Sequence, residues 1–471
     1  MVSDAHDLVV VGAGPAGMAA AIAARAHGMR VLVLDEQEAP GGQIYRAVDS
    51  VARFRRERLS VFGADYADGR ALVAAFRSCG AEYHPRSTVW RIDPEGIVYF
   101  TRPGESSMVA ARNTIIATGA LERPMPIPGW TLPGVTTCGG GQVLLKSADL
   151  VPAGRILLAG SGPLLYLYAA QLVRAGVKIA AVLVTTSARN YRRAAARVAE
   201  AFAGREYLMK GLSLMREIRR GGVPIVNGVR DLRALGGAQI EAVDFTVRGE
   251  SRSEACDALL LHQGVVPHLN LPLATGCVPV WDPLQRCFRP VTSEAGESTV
   301  SGIYIAGDGA GIAGAVAAAN GGTLAALAVA QRQQRIDPTR ARAEMQRVRA
   351  KNRPHVAFRP FLDTLYRPEQ HDVAPVHDDT IVCRCEEVTA GEIRRLAREG
   401  CTGPNQMKTF ARSGMGPCQG RLCGLTVAEL IAETRGVPVS EVGYYRLRSP
   451  VKPITVAELA AMAPAVGMPV F

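Results

Sequence analysis

The 471-residue sequence contains no apolar run of the eighteen or so residues that a membrane-spanning helix needs. Its longest candidate, IAGAVAAANGGTLAALAVA, is rich in alanine and glycine and is broken by Asn320, Gly321 and Gly322. Aromatic residues make up only 6% of the chain, and there is no HExxH motif, no Ser/His/Asp set and no carboxylate pair in a glycine context. Hydrolytic and metalloprotease chemistry therefore have no candidate residues. There are 10 cysteines, but none stands in the CxxC spacing of a dithiol pair. Cys79, Cys138, Cys256, Cys277, Cys287 and Cys401 are isolated and read as small apolar side chains. The opening MVSDAHDLVVVGAGPAGMAAA lacks the basic head and small-residue cleavage site of a signal peptide. The expectation is a reducing cytoplasm, where clustered cysteines bind metal or carry electrons.

What is present describes a globular chain of two or three domains, 48% hydrophobic and 21% charged. The net charge of +11 is uneven, with a dense basic stretch from Gln331 to Pro354 and another in RNYRRAAARV. Neither has interleaved aromatics or a recognition motif, so a nucleic-acid partner is not expected. The first stretch reads as a solvated helical face or linker over 331–378, one suited to gripping a partner subunit.

The first thirty-odd residues carry a specific signature. Asp7 to Val11 reads as a strand, GAGPAG as a turn, MAAAIAARAHG as a helix and RVLVLDEQ as a second strand. Gly12 permits the tight turn, Gly14 lets backbone approach a pyrophosphate, and Gly17 lets helix and strand pack closely. Pro15 and Ala16 complete the turn at a helix start whose free N–H groups favour phosphate. Asp35, with Glu36 beside it, closes the second strand where an acid binds ribose hydroxyls.

Three further segments resemble the two-dinucleotide-domain flavoproteins of the thioredoxin-reductase group and point to FAD. They are Gly41, Gly42 and Gln43 in EAPGGQIYR; Ala117, Thr118 and Gly119 ending NTIIATG; and Gly307 and Asp308 in SGIYIAGDGAG. In that group such an aspartate binds the ribityl chain, and the following helix aims its N-terminal dipole at the flavin. His262 and His268 flank an apolar segment that closes over the cofactor in related flavoproteins, and each reads as a satisfied structural histidine.

GRILLAGSGPLLYLYAAQLVRAGVKIAAVLVTT is a second unit of the same kind, at the position where related reductases insert an NAD(P)H domain. Its third glycine position is Leu165, and its second strand ends in Val184, Thr185 and Thr186 without an acid. Arg189, Arg192 and Arg193 follow only later. These departures argue against productive NAD(P)H binding, leaving a structural domain or one holding another nucleotide such as ATP.

Near the far end stand Cys383 and Cys385 in IVCRCEEV, and Cys418 and Cys423 in GMGPCQGRLCG. Four thiolates suit zinc or iron and sulfide, but a CxC pair is a poor zinc knuckle, whereas a two-iron cluster accepts two thiolates per iron. The surrounding glycines leave N–H groups free to bond sulfur. This segment resembles the bacterioferritin-associated ferredoxin type of [2Fe-2S] domain.

The whole chain resembles the FAD-binding subunit of the opine oxidase, D-hydroxyproline dehydrogenase and hydrogen cyanide synthase group. The resemblance implies an α/β fold of two Rossmann-like domains plus a small α-rich [2Fe-2S] domain. The corresponding division is 1–139 with 272–330 for FAD, 140–271 for the second unit, and 379–471 for the cluster domain and tail. It further implies a partner of the D-amino-acid-oxidase type that carries its own FAD and takes the substrate hydride, a small ferredoxin-like subunit in some members, and in others an FMN where subunits meet. The chain itself then relays electrons, with peripheral membrane association left open. The competing classes are a self-contained NAD(P)H-dependent reductase and a flavoprotein carrying a zinc-stabilised interaction module.

Overall fold

The computed structural model describes residues 5–462. The end of the expected cluster domain and tail, 463–471, lies outside the described residues. The first unit is a five-stranded parallel sheet in the order Ile303–Ile305, Thr114–Ile116, Leu8–Val11, Val31–Leu34, Glu82–His84. The strands Leu8–Val11 and Val31–Leu34 are uninterrupted Val and Leu because both faces are covered. Side chains alternate across the sheet, so Leu8, Val10, Val31 and Val33 meet the helices Pro15–Ala26 and Ala315–Arg332. Val9, Val11, Leu32 and Leu34 meet a three-stranded antiparallel sheet through Val89, Ile92, Val98 and Phe100.

The second unit repeats this plan. Its sheet runs Ile225–Asn227, Ile179–Val184, Ile156–Ser161, Ala258–Gln263, Val135–Thr137, all parallel. Leu158, Val182 and Leu260 face helices bearing Leu165, Leu172 and Ile218, while Leu157, Leu183 and Leu259 face an antiparallel sheet bearing Val243 and Phe245. The edge strand Val135–Thr137 begins upstream of residue 140, the start expected for this unit. Two crossing segments, Ala120–Glu122 and Val265–Pro267, pair antiparallel and join the units.

The basic stretch folds as helix Pro338–Ala357, burying Ala341 and Met345 while Arg340, Arg342, Arg347, Arg349, Lys351 and Arg353 stay exposed. Phe358 ends it, 2% exposed, stacked on Tyr207 of the second unit. The C-terminal unit holds a two-stranded ribbon, Ile381–Cys383 with Val388–Thr389, and helices Ala390–Arg398, Pro404–Ala411 and Gly424–Arg435. No helix among the described residues is long and apolar enough to cross a membrane.

Candidate functional site: a dinucleotide cradle and a cysteine loop

Three glycine turns converge at the carboxyl ends of the first sheet. Gly12 has φ +102°, and a Cβ there would lie 2.6 Å from the Ala117 carbonyl oxygen. One on Gly42 would lie 2.8 Å from Gly14 Cα, and one on Gly17 would collide with the Gly12 carbonyl. Gly307 likewise abuts Ala16, where an added Cβ would stand 2.8 Å from the alanine methyl. Gly12, Gly14, Pro15, Ala16, Gly17, Gly42, Ala117 and Gly307 are thus brought together, in a backbone cradle that side chains would fill.

Asp35 is buried and bonds the turn directly, with Oδ2 accepting from Ala13 N at 2.8 Å and Oδ1 from Gln37 N at 2.9 Å. Burial pushes its carboxyl up, opposed by those two N–H groups and by the charges of Arg46 and Lys452. Glu36 is exposed and ion-paired with Lys452. Gln43 accepts from Arg46 Nη2 at 3.0 Å, and its carbonyl accepts from Lys146 Nζ at 3.0 Å. Lys146 also donates to the Ile44 carbonyl at 3.0 Å and to Gln142 Oε1 at 2.9 Å, so its three donors are matched. Burial pulls this ammonium down to about 7. Asp308 Oδ1 accepts from Ala313 N at 2.9 Å and Gly314 N at 3.0 Å, which fixes the loop before helix Ala315–Arg332 and leaves Oδ2 available to a hydroxyl.

Two buried atoms near the cradle, Thr118 Oγ1 and Arg46 Nε, have no partner in the protein. Orphaned buried polar groups at a backbone cradle with an acid at its rim fit a flavin dinucleotide. Arg46, Lys146 and Lys452 were not anticipated from sequence, because nothing local distinguishes them from other basic residues.

The second unit differs where the adenosine of a nucleotide would lie. Thr185, Thr186, Ser187 and Asn190 are all buried. Ser161 Oγ and Thr186 Oγ1 bond each other at 2.7 Å. Ser187 Oγ donates to Glu369 Oε1 at 2.6 Å, and Asn190 Nδ2 donates to the Arg367 carbonyl at 2.7 Å. The chain's own segment around 367–372 therefore roofs this end of the sheet. His262 Nδ1 lies 2.5 Å from Glu122 Oε1, and Glu122 Oε2 accepts from Gly139 N at 2.8 Å.

The four cysteines meet as two contacting pairs, Cys383 with Cys423 and Cys385 with Cys418. The Cys383 thiol is held down to about 6 by the Cys423 thiol and by N–H groups of Gly414, Glu386 and Cys385, against burial. Cys423 is pushed up by its contact with Cys383 and by burial, and lies 3.8 Å from the Tyr445 hydroxyl. Glu387 and Gln419 hold left-handed backbone at φ +54° and +51°, a conformation costly for side-chain-bearing residues and found where surrounding structure enforces it. Among the described residues, no group of three or more His, Cys, Asp or Glu is placed to hold one metal ion. Two sulfur pairs with converging amides suit a two-metal cluster better than a single tetrahedral zinc.

The two sites adjoin. His268 N donates to the Gly119 carbonyl at 3.0 Å, and Asn270 Nδ2 donates to the Gln419 carbonyl, beside Cys418, at 3.0 Å. His268 departs from the satisfied histidine expected, since its Nδ1 is buried without a partner in the protein. Burial and the Arg421 charge pull this imidazole down to about 4. Trp130 Nε1 donates to the Ile381 carbonyl at 2.6 Å, and Arg286 bonds Glu429, both fastening the C-terminal unit.

Residues 6–333 match the pyridine nucleotide-disulphide oxidoreductase family, and residues 378–463 match the sarcosine oxidase A3 domain. The chain is 46% identical over 467 residues to an opine oxidase subunit of Agrobacterium tumefaciens (strain Ach5), covering 97% of this chain and 92% of that one. It is 31% identical over 462 residues to hydrogen cyanide synthase subunit HcnB of Pseudomonas aeruginosa, covering 95% and 96%. The solved structure of L-proline dehydrogenase from P. horikoshii shares the fold, with TM-score 0.71 at 18% identity over 97% of this chain and 79% of that one. On this match of sequence and architecture, the chain belongs to the pyridine nucleotide-disulphide oxidoreductase family and, within it, to the family of that opine oxidase subunit.

Proposed function

We propose that this chain is the electron-relaying subunit of a hetero-oligomeric dehydrogenase acting on opines or related imino acids. It binds FAD in its first unit and a [2Fe-2S] cluster at Cys383, Cys385, Cys418 and Cys423. One observation carries the reading: residues 268 to 270 touch the flavin-side turn at Gly119 and the cysteine loop at Gln419. The likeness to the opine oxidase subunit supports the substrate class.

When bound, a flavin exchanges electrons in pairs or singly and an iron–sulfur cluster exchanges them singly, so together they convert between the two. The protein's part is placement. Gly12, Gly14 and Gly42 admit the pyrophosphate, Asp35 and Glu36 face the ribose, and Thr118 and Asp308 present oxygens toward the flavin end. The N–H groups around Cys383 favour thiolate and offset charge added on reduction. In this reading hydride removal falls to a partner of the D-amino-acid-oxidase type, as in the group that the sequence resembles. The family's pyridine-nucleotide description favours a second reading, a self-contained NAD(P)H reductase. The roof over Thr185 to Asn190 weighs against it.

The test is purification together with a co-expressed partner of the D-amino-acid-oxidase type, analysis for FAD, iron and acid-labile sulfide, and anaerobic mixing with opines and imino acids. The expected result is flavin and cluster reduction only in the complex with substrate. Zinc in place of iron and sulfide, or full reduction of the isolated chain by NAD(P)H, would overturn it.

A further inference from the structure

After the cysteine domain the chain returns to the first unit. Val451 is 3% exposed and packs in the core with Val9, Val11, Leu34, Val89 and Ile92. Its N–H donates to the Trp90 carbonyl at 3.0 Å, and its own carbonyl accepts from Arg421 Nη1 at 3.2 Å. Arg421 in turn lies within electrostatic reach of Cys418 and Cys385. Farther along, Glu458 accepts an N–H from Gly104, in the hairpin turn of the antiparallel sheet that carries Trp90. The segment from Val451 to Glu458 is therefore pinned at both ends across the first unit.

Between those pins stands Lys452. Its ammonium is ion-paired with Glu36 and acts on Asp35, the two acids that the glycine-turn signature assigns to ribose hydroxyls. The other cation beside Asp35 is Arg46, from the first unit itself. An acid pair with one member buried is costly to hold as two anions, and a cation within bonding distance offsets that cost.

We infer that Lys452 is a positioning residue of the dinucleotide site: it orients Glu36 and balances the Asp35–Glu36 pair, so that residues 451–452 strap the adenosine end of the FAD. The inference rests on the FAD reading of the first unit. It has a consequence for the assembly of the protein. Because the strap leaves the cysteine domain only after Arg421 has bonded Val451, flavin retention depends on that domain being seated.

The experiment compares the full-length chain with K452M and K452R, measuring FAD affinity by the quenching of flavin fluorescence, with iron content in parallel. Losing this part-exposed ion pair should weaken FAD binding in K452M by about twofold to fivefold, with iron content unchanged. K452R should restore most of the affinity, which a merely space-filling role would not predict. Should K452M fail to fold, K452Q serves in its place. Equal affinity in K452M and the parent overturns the strap, as does equal loss in K452M and K452R. A parent chain that takes up no FAD at all overturns instead the reading on which the strap rests.

Discussion

The contact between Arg286 and Glu429 makes a quantitative prediction about how the cysteine domain is held. Arg286 is 7% exposed and Glu429 1%, and they bond through Nε to Oε1 at 2.8 Å and Nη2 to Oε2 at 2.9 Å. Arg286 also donates to the Pro368 carbonyl at 3.1 Å and bonds Gln370, and it is held at φ +52°. One guanidinium therefore ties the first unit, the connecting segment and helix Gly424–Arg435. Glu429→Gln keeps the shape and removes the charge, leaving a buried cation uncompensated, at a cost of about 3–5 kcal/mol. Opening of the C-terminal unit should then become roughly two to three and a half orders of magnitude more frequent. Hydrogen exchange of the amides in Gly424–Arg435 reads this directly, as loss of protection confined to the C-terminal unit. The double change Arg286→Met with Glu429→Leu removes both charges and leaves mainly the Pro368 carbonyl unpaired, a cost of about 1–3 kcal/mol. It should be the more stable of the two variants. A single variant within about 1 kcal/mol of the parent, or a double as damaged as the single, refutes the argument.

Other outcomes follow from the geometry. Gly17→Ala places a methyl against the Gly12 carbonyl, so the chain should lose about 1–3 kcal/mol of stability and its flavin absorbance together. Cys385→Ser should abolish bound iron and acid-labile sulfide, whereas Cys138→Ser, at a buried thiol remote from the cysteine loop, should leave both intact by chemical analysis. Anaerobic NADH or NADPH should leave the flavin of the isolated chain oxidised in a spectrophotometer; saturable bleaching refutes the roofed second site. His268 has a folded-state pKa near 4, below its ordinary value, so the unfolded chain binds more protons between about pH 6.5 and 4. Stability should fall with pH across that window by no more than about 1.4 kcal/mol per unit, the limit for one extra proton on the unfolded chain, and His268→Gln should remove that slope from urea midpoints.

The two-sheet architecture was legible because its cues are local. A glycine turn between an apolar strand and a helix occurs twice, after LVVV and within ILLAGSG, and strand alternation sets which face each residue covers. The cradle was legible for the same reason: Gly12, Gly14 and Gly17 lie within one turn, and Asp35 follows at a fixed distance along the unit. What escaped were contacts between distant segments. Glu369 meets Ser187 across 182 residues, and Lys452 meets Glu36 across 416, with no periodicity to announce either. The basic stretch shows its charges but not Phe358, whose burial fixes the helix to the second unit. The pairing of Cys383 with Cys423 rather than Cys418 depends on loop curvature through Gly414 and Gly416, which cysteine spacing leaves open. The orphaned nitrogen of His268 was equally invisible, because whether a histidine finds a partner depends on what packs around it.

The edge strand Ile303–Ile305 pairs with Thr114–Ile116, yet the whole second unit lies between them in the chain. During synthesis the first sheet must wait, with one edge open, until the inserted unit has been made. The inserted sheet, by contrast, is built from the contiguous span between Val135 and Gln263 and can close as soon as that span has emerged. Loop-closure entropy makes such long-range pairing slow, and an open parallel edge invites mispairing. The inserted unit is thus expected to fold first and to act as an internal clamp, bringing the two ends of the first sheet together. The slow step of maturation is then the pairing of Ile303–Ile305 with Thr114–Ile116, which the folded insert speeds by holding the two segments close.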